Sequence, residues 1–130
     1  MKEHKTLTFS LYDYSCELID KEQNYYLNLE DMKNLGLSEE LIQKVANLGI
    51  WYSSYLNPVY QMLPSLWQQQ VCNAFNREAN AVLEAVVAAL PNIKIIKGFT
   101  DINEDPELYE YLLHPVQFRK KRGISGYDQM

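Results

Sequence analysis

The residues of this 130-residue chain that could do chemistry are few. Its two histidines, the residue type most often used as a general base at neutral pH, stand far apart as His4 and His114. His4 falls in the polar start Met1-Lys2-Glu3-His4-Lys5, which reads as a frayed terminus. His114 lies between Leu113 and Pro115, at a helix end where an imidazole suits the dipole. Cys16 and Cys72 are too few for a disulfide framework and read as reduced thiols, one packed on a strand and one beside a helix stripe. Either would need His4 or His114 in space to act as a nucleophile. Among the carboxylates, Asp13 and Glu17 are four apart on a strand, which separates them by about 13 Å. Glu30-Asp31 and Glu39-Glu40 fall where helix N-termini favour acids. No nucleophile elbow, Walker loop, dinucleotide fingerprint, H-E-x-x-H or paired C-x-x-C occurs, and five glycines leave little material for a phosphate cradle. The chain therefore reads as non-enzymatic, with no catalytic residue, no metal and no cofactor.

One constellation suits binding instead. Asp101, Glu104, Asp105, Glu107 and Glu110 place five acids within ten residues, interleaved with Tyr109 and Tyr111. Such acids steer a basic partner and such tyrosines anchor it. The same residues would also serve as a solvated loop and helix start. These seven residues are the expected partner-binding set.

The overall charge points the same way. Net charge is −5, yet Arg119, Lys120, Lys121 and Arg122 against Asp128 give +3 over residues 118–130, leaving −8 on residues 1–117. An acidic body repels nucleic acid and attracts basic proteins. The basic run could touch phosphate weakly or fold back onto the chain's own acids. It is read as a flexible tail, 118–130, beyond a single globular domain, 1–117. The start lacks the continuous apolar core of a signal peptide. The most apolar run, 79–90, contains Asn80 and Glu84 and is shorter than a membrane span. A cytoplasmic protein with neither nucleic-acid nor membrane partners is expected.

The elements that must position these residues follow from periodicity. Leu7, Phe9 and Leu11 alternate with Thr6, Thr8 and Ser10 as a half-buried strand. The parity then flips to Tyr12, Tyr14, Cys16 and Leu18, which needs a bulge or tight turn near Tyr12-Asp13. Residues 20–24 read as a loop and Tyr25-Tyr26-Leu27 as the returning strand. Asn28 caps a short helix that stops at Gly36, and Ser38 caps a second with Leu41, Val45, Leu48, Tyr52 and Leu56 on one stripe. Trp51 and Tyr55, on a neighbouring flank, are expected to close the core. Ser65 with Gln68 reads as a capping box for the longest helix, 65–90, with Trp67, Val71, Phe75, Ala79, Val82, Val86 and Leu90 inward and Gln69, Asn73, Arg77, Asn80 and Glu84 outward. A strand over 92–97 and a helix over 106–113 complete the domain. The fold class is α+β: a small, mostly antiparallel sheet, made of the N-terminal hairpin and the strand near 92–97, packed against two to four helices.

Three stretches taken together carry a resemblance: Tyr25-Tyr26-Leu27-Asn28-Leu29-Glu30-Asp31 leading to Gly36, Trp51-Tyr52-Ser53-Ser54-Tyr55-Leu56-Asn57, and Phe75-Asn76-Arg77-Glu78-Ala79. Over residues 10–97 the chain is similar to small bacterial proteins, some of them resembling immunity proteins of contact-dependent inhibition and other polymorphic toxin systems. The resemblance implies a cytoplasmic inhibitor of a cognate, basic toxin domain, a nuclease, and transfers no individual binding residue. Two other readings compete with it. One is a small hydrolase or metal-dependent enzyme using carboxylates and His114. The other is an adaptor that works through the basic tail. Oligomeric state is left open.

Overall fold

The computed structural model describes residues 3–12 and 14–123. Strand β1 (Thr6–Tyr12) pairs antiparallel with β2 (Ser15–Asp20), with Phe9 opposite Leu18 and Tyr12 opposite Ser15. The chain reverses tightly between those last two, with Tyr14 at φ 60°. That reversal explains the parity flip in the sequence: Leu7, Phe9 and Leu11 share the inner face with Cys16 and Leu18, while Tyr12 points outward. Asp13 lies outside the described residues. Strand β3 (Tyr25–Tyr26) pairs antiparallel with the end of β2.

Asn28 then caps α1 (Leu29–Leu35) through a capping box with Asp31, and Gly36 closes it at φ 105°, a conformation only glycine adopts without strain. Ser38 caps α2 (Glu39–Ser53), its hydroxyl accepting from Leu41 N. Both caps are as the sequence reads.

The long helix differs at its start. It is α3 (Gln69–Ala89), not 65–90: Ser65 accepts from Trp67 N in a short turn, and Gln68 makes no side-chain cap. Trp67 therefore lies in the lead-in rather than on the helix, although it is buried as expected. Cys72, not Val71, joins the buried stripe with Phe75, Ala79, Val82, Leu83 and Val86. The helix is about 32 Å long at 1.5 Å per residue.

After Leu90 the chain enters β4 (Lys94–Gly98), which pairs parallel with β1, Thr6 opposite Lys94 and Ser10 opposite Gly98. The sheet is thus mixed, in the order β3-β2-β1-β4. Helices α2 and α3 pack on it, with α1 against α2, and their apolar residues with β1 and β2 make the main core. Its centre is aromatic: Trp51, Tyr52, Tyr55, Trp67 and Phe75 form a continuous set of ring contacts between α2 and α3. Edge-to-face pairs at 5.2–5.3 Å, Trp51–Phe75 and Tyr55–Trp67, have the geometry that aromatic quadrupoles favour.

Two further helices follow, α4 (Leu108–Leu113) and α5 (Pro115–Lys121). Among the described residues this makes five helices, the last two packed against each other. The second is a correction to the expected flexible tail, because 118–121 is helical and Phe118 and Arg119 are buried. Pro115, expected only to end a helix, also opens the next at N1, where its missing N–H costs nothing. Residues 124–130 lie outside the described residues. Leu63 from the 57–66 connector packs with Tyr111 and Phe118 in a second small cluster separate from the main core.

Candidate functional site

His4 is not frayed. It is buried, with Nδ1 2.6 Å from Asp20 Oδ2 and its ring stacked on Tyr25. The Tyr25 hydroxyl donates at 2.6 Å to Asp31, which also accepts from Asn28 N. The contact with His4, then the Gln23 amide, holds the Asp20 carboxyl below the usual aspartate range; Tyr25, then Asn28, does the same for Asp31. His4 Nε2 has no hydrogen-bond partner among the described residues. Every other polar atom named here is spent on joining the N-terminal segment, β2, β3 and α1, so the group reads as a structural lock.

The thiols are equally committed. Burial first, and Glu17 second, push Cys16 up to about 12; burial and then Glu104 raise Cys72. Neither is a thiolate at neutral pH. His114 is exposed at the α4–α5 junction. Among the described residues, no group of three or more His, Cys, Asp or Glu is placed to share a metal ion.

The acidic stretch is stitched to α3 by amide side chains. Gln69 N donates to Glu104 Oε2 at 2.9 Å, and Glu104 N donates back to Gln69 Oε1 at 3.0 Å. Asn76 holds Ile102 in both directions, accepting from its N–H and donating to its carbonyl. Asn80 donates to Asp101 Oδ1. Glu104 therefore does from 35 residues away what a local cap would do for the start of α3. The sequence reading placed Gln69 and Asn80 on a solvent face. The spacing of 69, 76 and 80, one amide row along a helix, was the available signal that something polar would lie against it.

The seven residues expected to bind a partner thus have different duties. Glu104 caps α3, and Asp105 accepts from Glu107 N at the start of α4. Glu107 and Glu110 pair with Arg122 and Lys121, the fold-back onto the chain's own acids. Tyr111 is buried against Phe118, while Tyr109 is exposed. Asp101 is exposed and paired only loosely, 3.6 Å from Lys97 Nζ.

Asp101 also stands between two surface depressions. One, of about 520 Å³, is lined by Leu11, Tyr52, Gly98 and Phe99 with Lys97 and Asp101 at its polar side. The other, of about 450 Å³, runs along α3 past Arg77, Asn80 and Glu84. The first lies at the C-terminal ends of the parallel pair β1 and β4, where α/β sheets commonly present ligand sites. At its edge the two strands meet closely, and a Cβ on Gly98 would lie 2.5 Å from Thr8 Cγ2. Tyr52 borders it with its hydroxyl pKa raised by burial, then by Tyr14, whose ring lies 5.2 Å away. Aromatic rings, one carboxylate and one ammonium can hold a charged or amphipathic group.

Comparison with known proteins finds no matching family model, no matching curated protein and no matching solved structure. No helix among the described residues is long and apolar enough to cross a membrane.

Proposed function

We propose that the chain is a non-catalytic binding protein, an immunity-type inhibitor that acts in the cytoplasm by covering a cognate basic toxin domain, a nuclease, with an acidic surface. The observation that carries this reading is Asp101: the one acid of the 101–110 cluster that is exposed between two depressions rather than occupied with capping or with the bases of α5. Tyr109 and the outer sides of Glu107 and Glu110 add to the same stretch of chain. The charge of −8 over residues 1–117 supports it by steering basic partners toward the body. Locked histidine and protonated thiols support the non-catalytic part of the reading.

The test is co-purification. With the chain tagged and expressed beside its upstream neighbour, a stoichiometric basic companion is expected, toxic alone and harmless in the pair. Asp101→Asn should weaken the complex and make its salt dependence shallower, since one steering charge is lost. A tagged chain that emerges alone, beside a harmless neighbour, overturns the reading.

A further inference from the structure

We propose that the depression at the end of β1 and β4 is a receptor for one arginine side chain of a partner protein, and that Lys97 occupies it when no partner is bound. The proposal deepens the inhibitor reading and rests on it for the identity of the partner.

The chain itself shows what the depression holds. Lys97 Nζ sits 4.9 Å from the centroid of the Phe99 ring and 3.6 Å from Asp101 Oδ1, so an ammonium already lies between an aromatic face and a carboxylate. That is the chemistry of a cation site, since ring quadrupole and carboxylate both attract positive charge. The ring is fixed rather than loose: Phe99 contacts Phe9 of the core at 5.9 Å. The carboxylate accepts from Asn80 Nδ2 of α3 at 3.3 Å, which turns it toward the helix. The receptor is therefore prearranged, and only Lys97 must move to open it.

Lys97 is a weak occupant. Its side chain is 42% exposed and that of Asp101 is 57% exposed, so the pair is bathed in water and cheaply broken. An ammonium is compact and strongly hydrated. A guanidinium is planar, less hydrated, stacks on rings and meets a carboxylate through two N–H groups, so arginine should displace lysine here. A protein partner fits better than a small ligand, because the surface does not end at the pocket. Beyond Asp101 the second depression continues along α3 past Arg77 and Glu84, a footprint wider than one small molecule would cover.

The test titrates the isotopically labelled chain with the tripeptide Ac-Ala-Arg-Ala-NH2, following backbone amide shifts by NMR. Saturable shifts confined to residues 97–102 and Tyr52 are expected, with the lysine tripeptide binding more weakly. Lys97→Ala should tighten the arginine peptide about threefold by removing the resident cation. Asp101→Asn should weaken it about tenfold. Lys94→Ala is the control, a lysine on the same strand that does not line the depression. Both positions are exposed, and unchanged amide patterns elsewhere would show that each variant folds. Equal effects from Lys94→Ala and Lys97→Ala would reduce the site to a general field and overturn the proposal. So would shifts scattered over the surface, or an Asp101→Asn variant that binds normally. The inhibitor reading is judged separately: a basic toxin that co-purifies with the native chain, when the arginine peptide fails the titration, refutes the arginine receptor and leaves inhibition standing.

Discussion

The main core and the small cluster beneath α4 and α5 are both organised around aromatic rings, but they are closed in different ways. In the main core Phe75 is fully buried and touches three other rings, Trp51, Tyr52 and Trp67, with a sheet beneath and two long helices around them. In the small cluster Phe118 is just as buried, yet its apolar company is Tyr111 and Leu63, and its rim is held by ion pairs from Glu110 to Lys121 and from Glu107 to Arg122. Burial of a single ring is therefore a poor guide to its importance. What differs is how many independent elements lose contact when the ring is removed, and exposed ion pairs do not replace a packed sheet.

The strongest break of this comparison is Phe75→Ala. It should cost about 3–5 kcal/mol and lower the urea midpoint of the whole domain, because the cavity opens between α2, α3 and the sheet at once. Acid acts next, through the two buried carboxylates of the main body. Asp20 and Asp31 have folded pKa values held below their ordinary ones, so their contribution is complete above the usual aspartate range. It is lost as pH falls through the lowered values, and the melting temperature should drop there. His4→Ala should remove part of that drop, since Asp20 then loses the contact that lowers it most. A melting temperature that stays flat as pH falls through that range would show that the lock contributes nothing. Phe118→Ala is the smallest of the three, at about 1–2 kcal/mol globally. Its signature should be local: hydrogen exchange in α4 and α5 accelerates while amides in the middle of α3 stay protected. If both phenylalanine variants unfold the chain alike, the two clusters are one cooperative unit and the distinction fails.

Much of the main body was legible in the sequence, because short-range rules govern it. Asn28, Asp31, Gly36 and Ser38 announce their caps by type and spacing, and the stripes of α2 and α3 follow from period. The site was legible only as composition. Five acids within ten residues were visible, but nothing local says that Glu104 would cap a helix beginning at Gln69 or that Glu107 would meet Arg122. Those partners are chosen by tertiary placement. Burial of His4 was hidden for the same reason: its partners Asp20, Tyr25 and Asp31 belong to three other elements, and a polar start of chain carries no sign of them. The depression beside Gly98 was likewise invisible, since it depends on β4 lying parallel to β1.

That parallel pairing also sets an order of events during synthesis. β1 leaves the ribosome before its second neighbour, Lys94–Gly98, from which β2, β3 and the first three helices separate it. Until then the nascent hairpin of β1 and β2 must wait with one side of its inner strand unpaired and its Leu7, Phe9 and Leu11 lacking α3 as a lid. Closure of so long a loop is slow, and an open strand edge is the usual starting point for pairing with the wrong chain. The open edge of β1 is therefore the vulnerable feature of the chain until β4 has been made, and the recess beside Gly98 forms only with that pairing.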